Sequence, residues 1–198
     1  MLLEHLEQIC KKCESLTDNK IIIFGVFCIK RQLEVLKKNF VDNKLKEILN
    51  NIDNYINNLL LTDNPERRVN FISEIEQYIE NINDEELTKP EVYIEYNILN
   101  TTVDFLNSVE KNDIAYILEY SPYRNIDLIN IFEEHLIGEI EDNFDNKDDK
   151  IKEIYLSEME RQMKDIDLIS GKIEKNQIET MLNDKVGIDI FNDMWFSI

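Results

Sequence analysis

Apolar residues recur at steps of three and four along almost the whole of this 198-residue chain. The first stripe consists of Leu2, Leu6, Ile9, Cys13 and Leu16, which would share one face of a helix. Glycine occurs only four times and proline three times, too rarely for the many turns of an all-β chain. The spacing therefore predicts an all-α fold.

Capping signals divide this pattern into separate helices. Thr17 or Asp18 is expected to cap the second helix, because short polar side chains accept hydrogen bonds from the free N–H groups of a first turn. Thr88, three residues before Glu91, matches a capping box. Together these breaks predict a single compact domain over residues 1–198, built as a bundle of about eight to ten helices.

The second half of the chain is expected to contain several shorter helices. One should end near Tyr120, and the next should begin with Ser121 as its cap and Pro122 in its first turn. Further helices are predicted over roughly 148–169, 174–184 and 187–196.

Negative charge is concentrated in the middle of the sequence. The chain has a net charge of −19, of which residues 51–149 carry −18, whereas residues 1–50 carry +2. Such a concentration predicts a directed negative field and a basic protein as partner. Direct binding to a nucleic-acid backbone is disfavoured, since that surface is itself negative.

Residues 141–149, the acidic segment, contain five of these carboxylates. A calcium loop starting at Asp142 fails, because Phe144 occupies a ligand position and Lys147 replaces the glycine of the tight turn. No Glu-x-x-His pair for a di-iron bundle occurs. The sequence therefore predicts no metal and no cofactor.

The remaining motifs do not indicate catalysis. Cys10 and Cys13 form half of a zinc or redox pattern, but no second cysteine pair is present, and we expect them to pack beside the apolar stripe. Isolated glycines form no phosphate loop. The three cysteines all lie within the first 28 residues, which indicates a reducing compartment. With no secretory signal and no long apolar run, we predict a cytoplasmic protein that is not an enzyme.

Candidate partner-binding residues combine acids with a tyrosine cluster. Tyrosine and arginine are enriched among interface hot spots, and the acids would steer a basic protein toward them. The predicted residues are Asp84, Glu85, Glu86, Tyr120, Tyr123, Arg124, Glu141, Asp142, Asp145, Asp148 and Asp149. The acids of 84–91 and 133–141 are expected to act with those of 141–149 as one electrostatic surface for a basic protein. The alternatives are tyrosines packed between helices and acids in solvated turns.

Three short segments resemble the YjaG-like family of bacterial proteins. They are "FGVFCIKR" (24–31), "VYIEYNILNTTVDFL" (92–106) and "VGIDIFNDMWFSI" (186–198). The resemblance implies an all-helical fold and supplies no catalytic residues, because that family has no established activity.

Three functions follow from these observations as hypotheses. The favoured one is an inhibitory binding protein of the immunity type, which neutralises a basic toxin such as a nuclease inside the producing cell. The second is a nucleic-acid mimic that occupies a DNA-binding enzyme. The third is an enzyme with an unrecognised carboxylate site.

Overall fold

A computed structural model of the chain describes residues 2–39, 43–59, 65–138 and 144–172, together with 177, 178 and 180. These residues form seven α-helices and two short 3₁₀ turns, without a strand. The helices are α1 (Leu2–Cys13), α2 (Asp18–Asn39), α3 (Asn43–Leu59), α4 (Pro65–Glu80), α5 (Pro90–Lys111), α6 (Ile114–Ile137) and α7 (Asp149–Ser170). The all-α class expected from the apolar spacing is confirmed.

The described chain divides into two compact units. Unit 1 contains the described residues of 1–28 and 114–173, and unit 2 contains those of 29–113 and 174–198. The first half of α2 therefore belongs to unit 1 and its second half to unit 2. The assignment of residues 1–198 to one domain stays a prediction.

In unit 1, α1 packs against α6 and α7, and α6 packs against α7. Fully or almost fully buried side chains form its core, and each contributes about 1.5–3 kcal/mol by leaving water: Ile9, Cys13, Phe24, Ile117, Ile126, Ile129, Ile151 and Ile166. Lys20 Nζ donates hydrogen bonds to the carbonyl oxygens of Ser170 and Gly171, at 3.2 and 3.0 Å. A cation at this position satisfies the last carbonyls of α7 and complements the helix dipole.

In unit 2, α4 packs against both α3 and α5. Its core is almost entirely aliphatic and includes Ile29, Leu33, Leu36, Leu45, Ile52, Ile75, Ile94, Ile98 and Leu106. Helix α5 ends at Asn112, whose φ of 55° is left-handed. The N–H of Asp113 then bonds to Ser108 O at 2.8 Å, the closing bond of a Schellman motif, in which asparagine is tolerated at the left-handed position.

The predicted break at Ser121 is wrong. Residues 114–137 form one helix, α6, with Pro122 in its interior. Proline removes the N–H that would bond to the carbonyl four residues back. Ser121, Pro122 and Asn125 are nevertheless all buried, so packing of this stretch overrides the local signal to stop.

The helix count in the described residues is slightly below the expected eight to ten. Because α6 is continuous, the two helices that were predicted on either side of Ser121 are one helix in the structure. The predicted helix over 187–196 lies outside the described residues, and only three residues of the one over 174–184 are described. The prediction over 148–169 agrees with α7 to within one residue at each end. None of the helices in the described ranges is both long enough and apolar enough to cross a membrane.

Candidate functional site

The described part of the acidic segment, residues 144–149, leads into the first turn of α7. Asp145, Asp148 and Asp149 are all exposed. Asp148 is the N-cap of α7, and its carboxylate accepts a hydrogen bond from the Lys150 N–H at 2.9 Å. Carboxylates are favoured here because the first turn of a helix presents free N–H groups and the positive end of its dipole. Glu141 and Asp142 lie outside the described residues.

Lys147, in the middle of this segment, turns inward. Its Nζ donates to Glu133 Oε2 at 2.5 Å, with side chains only 6% and 1% exposed. The same ammonium lies 5.2 Å from the ring centroid of Tyr155. A buried pair of this kind tolerates the loss of neither partner, because the remaining charge is left without compensation. The pair therefore anchors the acidic segment to α6.

Phe144 and Tyr155 complete the anchor. Their rings meet edge to face, with centroids 5.9 Å apart and an interplanar angle of 86°, a favourable arrangement for aromatic pairs. The Tyr155 hydroxyl donates a hydrogen bond to Asn130 Oδ1. Burial raises the pKa of Tyr155, and the charges of Glu133 and Asp127 raise it further, so the phenol stays protonated as a donor.

Glu133 consequently cannot belong to the acidic surface. The acids of 133–141 were expected to act together with the acidic segment, and for Glu133 this expectation is wrong. Its carboxylate is 1% exposed and neutralised by Lys147. Glu134, the next residue, is exposed and can contribute to a surface field.

The tyrosine cluster lies on α6. Tyr116 and Tyr120 stack with ring centroids 4.2 Å apart and planes 8° from parallel. Tyr120 is 41% exposed, whereas Tyr123 is half-buried. Arg124 pairs with Asp127 one turn along the same helix, at 3.2 Å. Tyr120 is therefore the most accessible of the predicted aromatic contacts.

Asp84, Glu85 and Glu86 lie in unit 2, between α4 and α5, and all three are exposed. The Glu85 N–H donates to Asn83 Oδ1 at 3.2 Å. The capping box expected at Thr88 is wrong, because Lys89 occupies the N-cap of α5 and makes no side-chain cap.

The units divide the predicted contact residues. Asp84, Glu85 and Glu86 belong to unit 2, whereas the described candidates on α6 and at the start of α7 belong to unit 1. Unit 1 thus contains both the exposed acids of residues 144–149 and the tyrosine stack.

Sequence reasoning missed a buried polar network in unit 1. Glu158 Oε1 accepts hydrogen bonds from Asn125 Nδ2 at 2.7 Å and Gln162 Nε2 at 2.9 Å. Gln162 Nε2 also donates to Pro122 O at 3.1 Å, which leaves its Oε1 to accept from His5 Nε2 at 2.8 Å. The available signal was that Glu158 and Gln162 fall on the apolar stripe of α7, where a polar residue needs a partner.

The network joins three helices and has a structural role. His5 lies on α1, Asn125 on α6 and Glu158 with Gln162 on α7, and all four side chains are buried. A buried polar group without a hydrogen bond costs about 1–3 kcal/mol. The network therefore favours one packing arrangement of α1, α6 and α7 relative to one another.

The cysteine thiols are poor nucleophiles. Burial raises the pKa of Cys13 to about 11, with a further contribution from Cys10. Burial also raises the pKa of Cys10, and Glu119 adds to it. Reactive cysteines have lowered pKa values in electropositive surroundings, so both thiols stay protonated at neutral pH.

Unit 2 contains a partly buried ionic cluster. Asp53 Oδ1 lies 3.4 Å from Lys30 Nζ and 3.1 Å from Lys37 Nζ, and Lys37 also pairs with Glu34 at 2.5 Å. Burial lowers the pKa of Lys30, although Asp53 opposes the change. The arrangement ties α2 to α3.

Comparisons with known proteins show a similarity in fold and nothing about activity. No family model matches the chain, and no curated protein matches it. The crystal structure of a DUF416 family protein from Shewanella baltica is similar, with a TM-score of 0.63 over 92% of this chain and 93% of that one. The sequence identity is 16%. The two proteins therefore share an all-helical fold, and the YjaG-like resemblance is not confirmed.

Proposed function

We propose that this protein is an acidic binding protein of the immunity type, which neutralises a basic toxin such as a nuclease by direct contact. The observation that carries the proposal is the inward turn of Lys147 beside three exposed carboxylates. Residues 144–149 have a net charge of −2 along the sequence. With Lys147 neutralised by Glu133, the negative charge of this surface comes from Asp145, Asp148 and Asp149, of which Asp149 also lies 3.5 Å from Lys152.

A fixed negative surface accelerates association with a basic protein. Opposite fields steer the partners during diffusion and can raise association rates by factors of 10 to 1,000. The anchor formed by Lys147, Phe144 and Tyr155 holds the segment in place, so less conformational entropy is lost when the partner binds. Nucleases bind an anionic backbone through basic surfaces, which makes them suitable partners.

Short-range contacts would come from α6. Charges at the rim of an interface mainly set the association rate, whereas buried aromatic anchors slow dissociation. At about 1.5 Å per residue, Tyr120 lies about 20 Å along the axis of α6 from Glu133. An interface of ordinary size buries about 800 Å² on each partner and spans about 30 Å. The separation along the axis of α6 is therefore within the span of one interface.

A nucleic-acid mimic is less well supported by the described surface. Mimicry needs carboxylates in a row at phosphate-like spacing. On α7, however, Asp149 lies 3.5 Å from Lys152, and Glu160 lies 2.9 Å from Lys164. Lysines one turn away interrupt such a row, so we prefer a partner recognised through a local patch.

The first experiment tests for a toxin. The reading frame beside the gene is expressed alone and together with this protein, and growth is measured. We expect the neighbouring product to be basic, to arrest growth alone and to form a complex that restores growth. A neighbouring product that is harmless, or a toxin that this protein neither binds nor neutralises, would contradict the proposal.

The second experiment tests the acidic segment in that complex. The triple variant D145N/D148N/D149N should lower the association rate, most strongly at low salt, because the Debye length is about 10 Å at 0.1 M. Asparagine also serves as an N-cap, so the start of α7 is preserved. The control E7Q/E14Q/E160Q removes the same charge from other exposed positions. Equal association rates for the two triple variants would exclude a role for this segment.

The YjaG-like relationship remains our proposed ancestry. The segment 24–31, one of the three that carry the resemblance, is buried throughout in α2, where a related protein would keep similar side chains. Homologues that are intermediate in sequence between this chain and the YjaG-like family should have similar side chains at these core positions. If an iterative sequence search finds no such intermediate homologues, common descent is not supported.

A further inference from the structure

We propose that Tyr116, Tyr120 and Glu119 form a docking site for an arginine side chain of the basic partner. The inference rests on the proposed function, and it specifies which basic side chain the surface of α6 selects. The occupant is a guanidinium lying flat against the tyrosine stack, with its N–H groups directed to the Glu119 carboxylate.

Tyr120 is the exposed member of the tyrosine stack. The rings are nearly parallel, at 8°, and their centroids are 4.2 Å apart, so each ring covers one face of the other. Because Tyr116 covers one face of the Tyr120 ring and Tyr120 is still 41% exposed, part of this ring is available to a ligand. A planar cation can extend such a stack by one layer, because the face of an aromatic ring is electron-rich.

Glu119 supplies the matching charge. It follows Tyr116 by three residues on α6, a spacing that places two side chains next to each other on a helix. Its carboxylate is exposed and forms no ion pair within the described ranges. Arg124, one turn beyond Tyr120, is already paired with Asp127 at 3.2 Å, so its own charge is partly compensated and repels an incoming cation less.

Arginine fits this site better than lysine. A guanidinium is planar, stacks on aromatic rings and donates two parallel hydrogen bonds to a carboxylate. An ammonium is a compact and strongly hydrated charge that gains less from a ring face. The site should therefore distinguish two basic partners of equal charge, which a field of acids alone cannot do.

The test uses two synthetic peptides of equal length and charge, one with arginine and the other with lysine at every basic position. Titration calorimetry at moderate salt should show about fivefold tighter binding of the arginine peptide to the wild-type protein. The backbone amide signals of residues 115–120 should shift in its NMR titration.

Variants assign that preference to the site. Y120L should bind both peptides equally, with unchanged affinity for the lysine peptide, whereas Y120F should keep the preference because its ring remains. E119Q should lower the affinity for the arginine peptide about threefold, since a hydrogen bond to a charged carboxylate becomes one to a neutral amide. L168A, at another exposed apolar position, is the control and should behave as the wild type.

The outcomes separate this inference from the proposed function. Equal binding of both peptides to the wild type overturns the arginine site and leaves the acidic binding surface intact. A preference that survives in both Y120L and E119Q also overturns it. Failure of the arginine peptide to bind overturns the inference alone, because the proposed function is tested separately by the complex with the neighbouring gene product.

Discussion

Lys147 is the residue whose position changes most from what its surroundings in the sequence suggest. It is flanked by acids in the sequence, yet its ammonium group forms a buried ion pair with Glu133 and not with those neighbours. Asp149, by contrast, has Lys152 one turn away at 3.5 Å, a partly exposed pair of the kind that contributes little. The single buried pair therefore dominates the local energetics.

Removing Lys147 should destabilise the fold strongly. K147M leaves Glu133 buried without its cation, and we expect the free energy of unfolding to fall by about 3–5 kcal/mol. K150M is the matched control, because Lys150 is exposed and should change stability by less than about 0.5 kcal/mol. Urea unfolding measures both. Similar midpoints for the two variants would show that the buried pair is not required.

Cys13 should make stability fall at alkaline pH. Its pKa is raised from 9.0 to about 11 in the folded protein, so the fold favours the protonated thiol. The resulting stabilisation is complete below pH 9 and is lost as pH rises toward 11, a loss of about 2 kcal/mol. Urea unfolding between pH 7 and 11 measures it. C13A should lack this component, and an identical decline in C13A would assign the effect to other groups.

Among the helices, α7 depends on its N-terminal cap. Asp148 accepts a hydrogen bond from the Lys150 N–H, and D148A should cost about 1 kcal/mol of stability by leaving that donor free. D148N should lose only a few tenths, since asparagine caps equally well. Thermal unfolding compares the two. If D148N is as unstable as D148A, the carboxylate charge rather than the cap is what matters.

Local patterns predicted the helices better than their breaks. The predicted helix over 148–169 agrees with α7 to within one residue at each end. At Pro122 and Thr88 the local signals failed for a physical reason. Burial around Pro122 outweighs a missing hydrogen bond, and the Thr88 hydroxyl donates to Glu85 O at 2.8 Å instead of capping α5. Such competing contacts are not visible in local sequence.

The candidate site was only partly predictable for a related reason. Exposure of Asp145, Asp148 and Asp149 follows from the polarity of the acidic segment. The burial of Lys147 and Glu133 does not, since their partnership depends on how residues 14 positions apart meet in the fold. The Tyr116–Tyr120 stack is consistent with helical spacing, since the two residues are four positions apart on α6, but how far each ring is exposed depends on the packing around the helix.

For the whole molecule, the net charge of −19 should make stability depend on salt. Like charges repel one another more in the folded chain than in the expanded one, and salt screens this repulsion. Raising sodium chloride from 20 to 300 mM should increase the melting temperature by about 2–4 °C. The variant D145N/D148N/D149N, with less repulsion to relieve, should gain less. A melting temperature that falls with salt would mean that ion pairs outweigh repulsion.

The buried pair between Lys147 and Glu133 also constrains how this chain can evolve. A change at one position alone leaves an unpaired buried charge, whereas replacing both residues with apolar ones of similar size is close to neutral. We therefore expect the two positions to vary together among relatives, either as a lysine with an acid or as two apolar residues. At Asp148, by contrast, asparagine, serine or threonine would also cap α7, so we expect that position to vary without a matching change elsewhere.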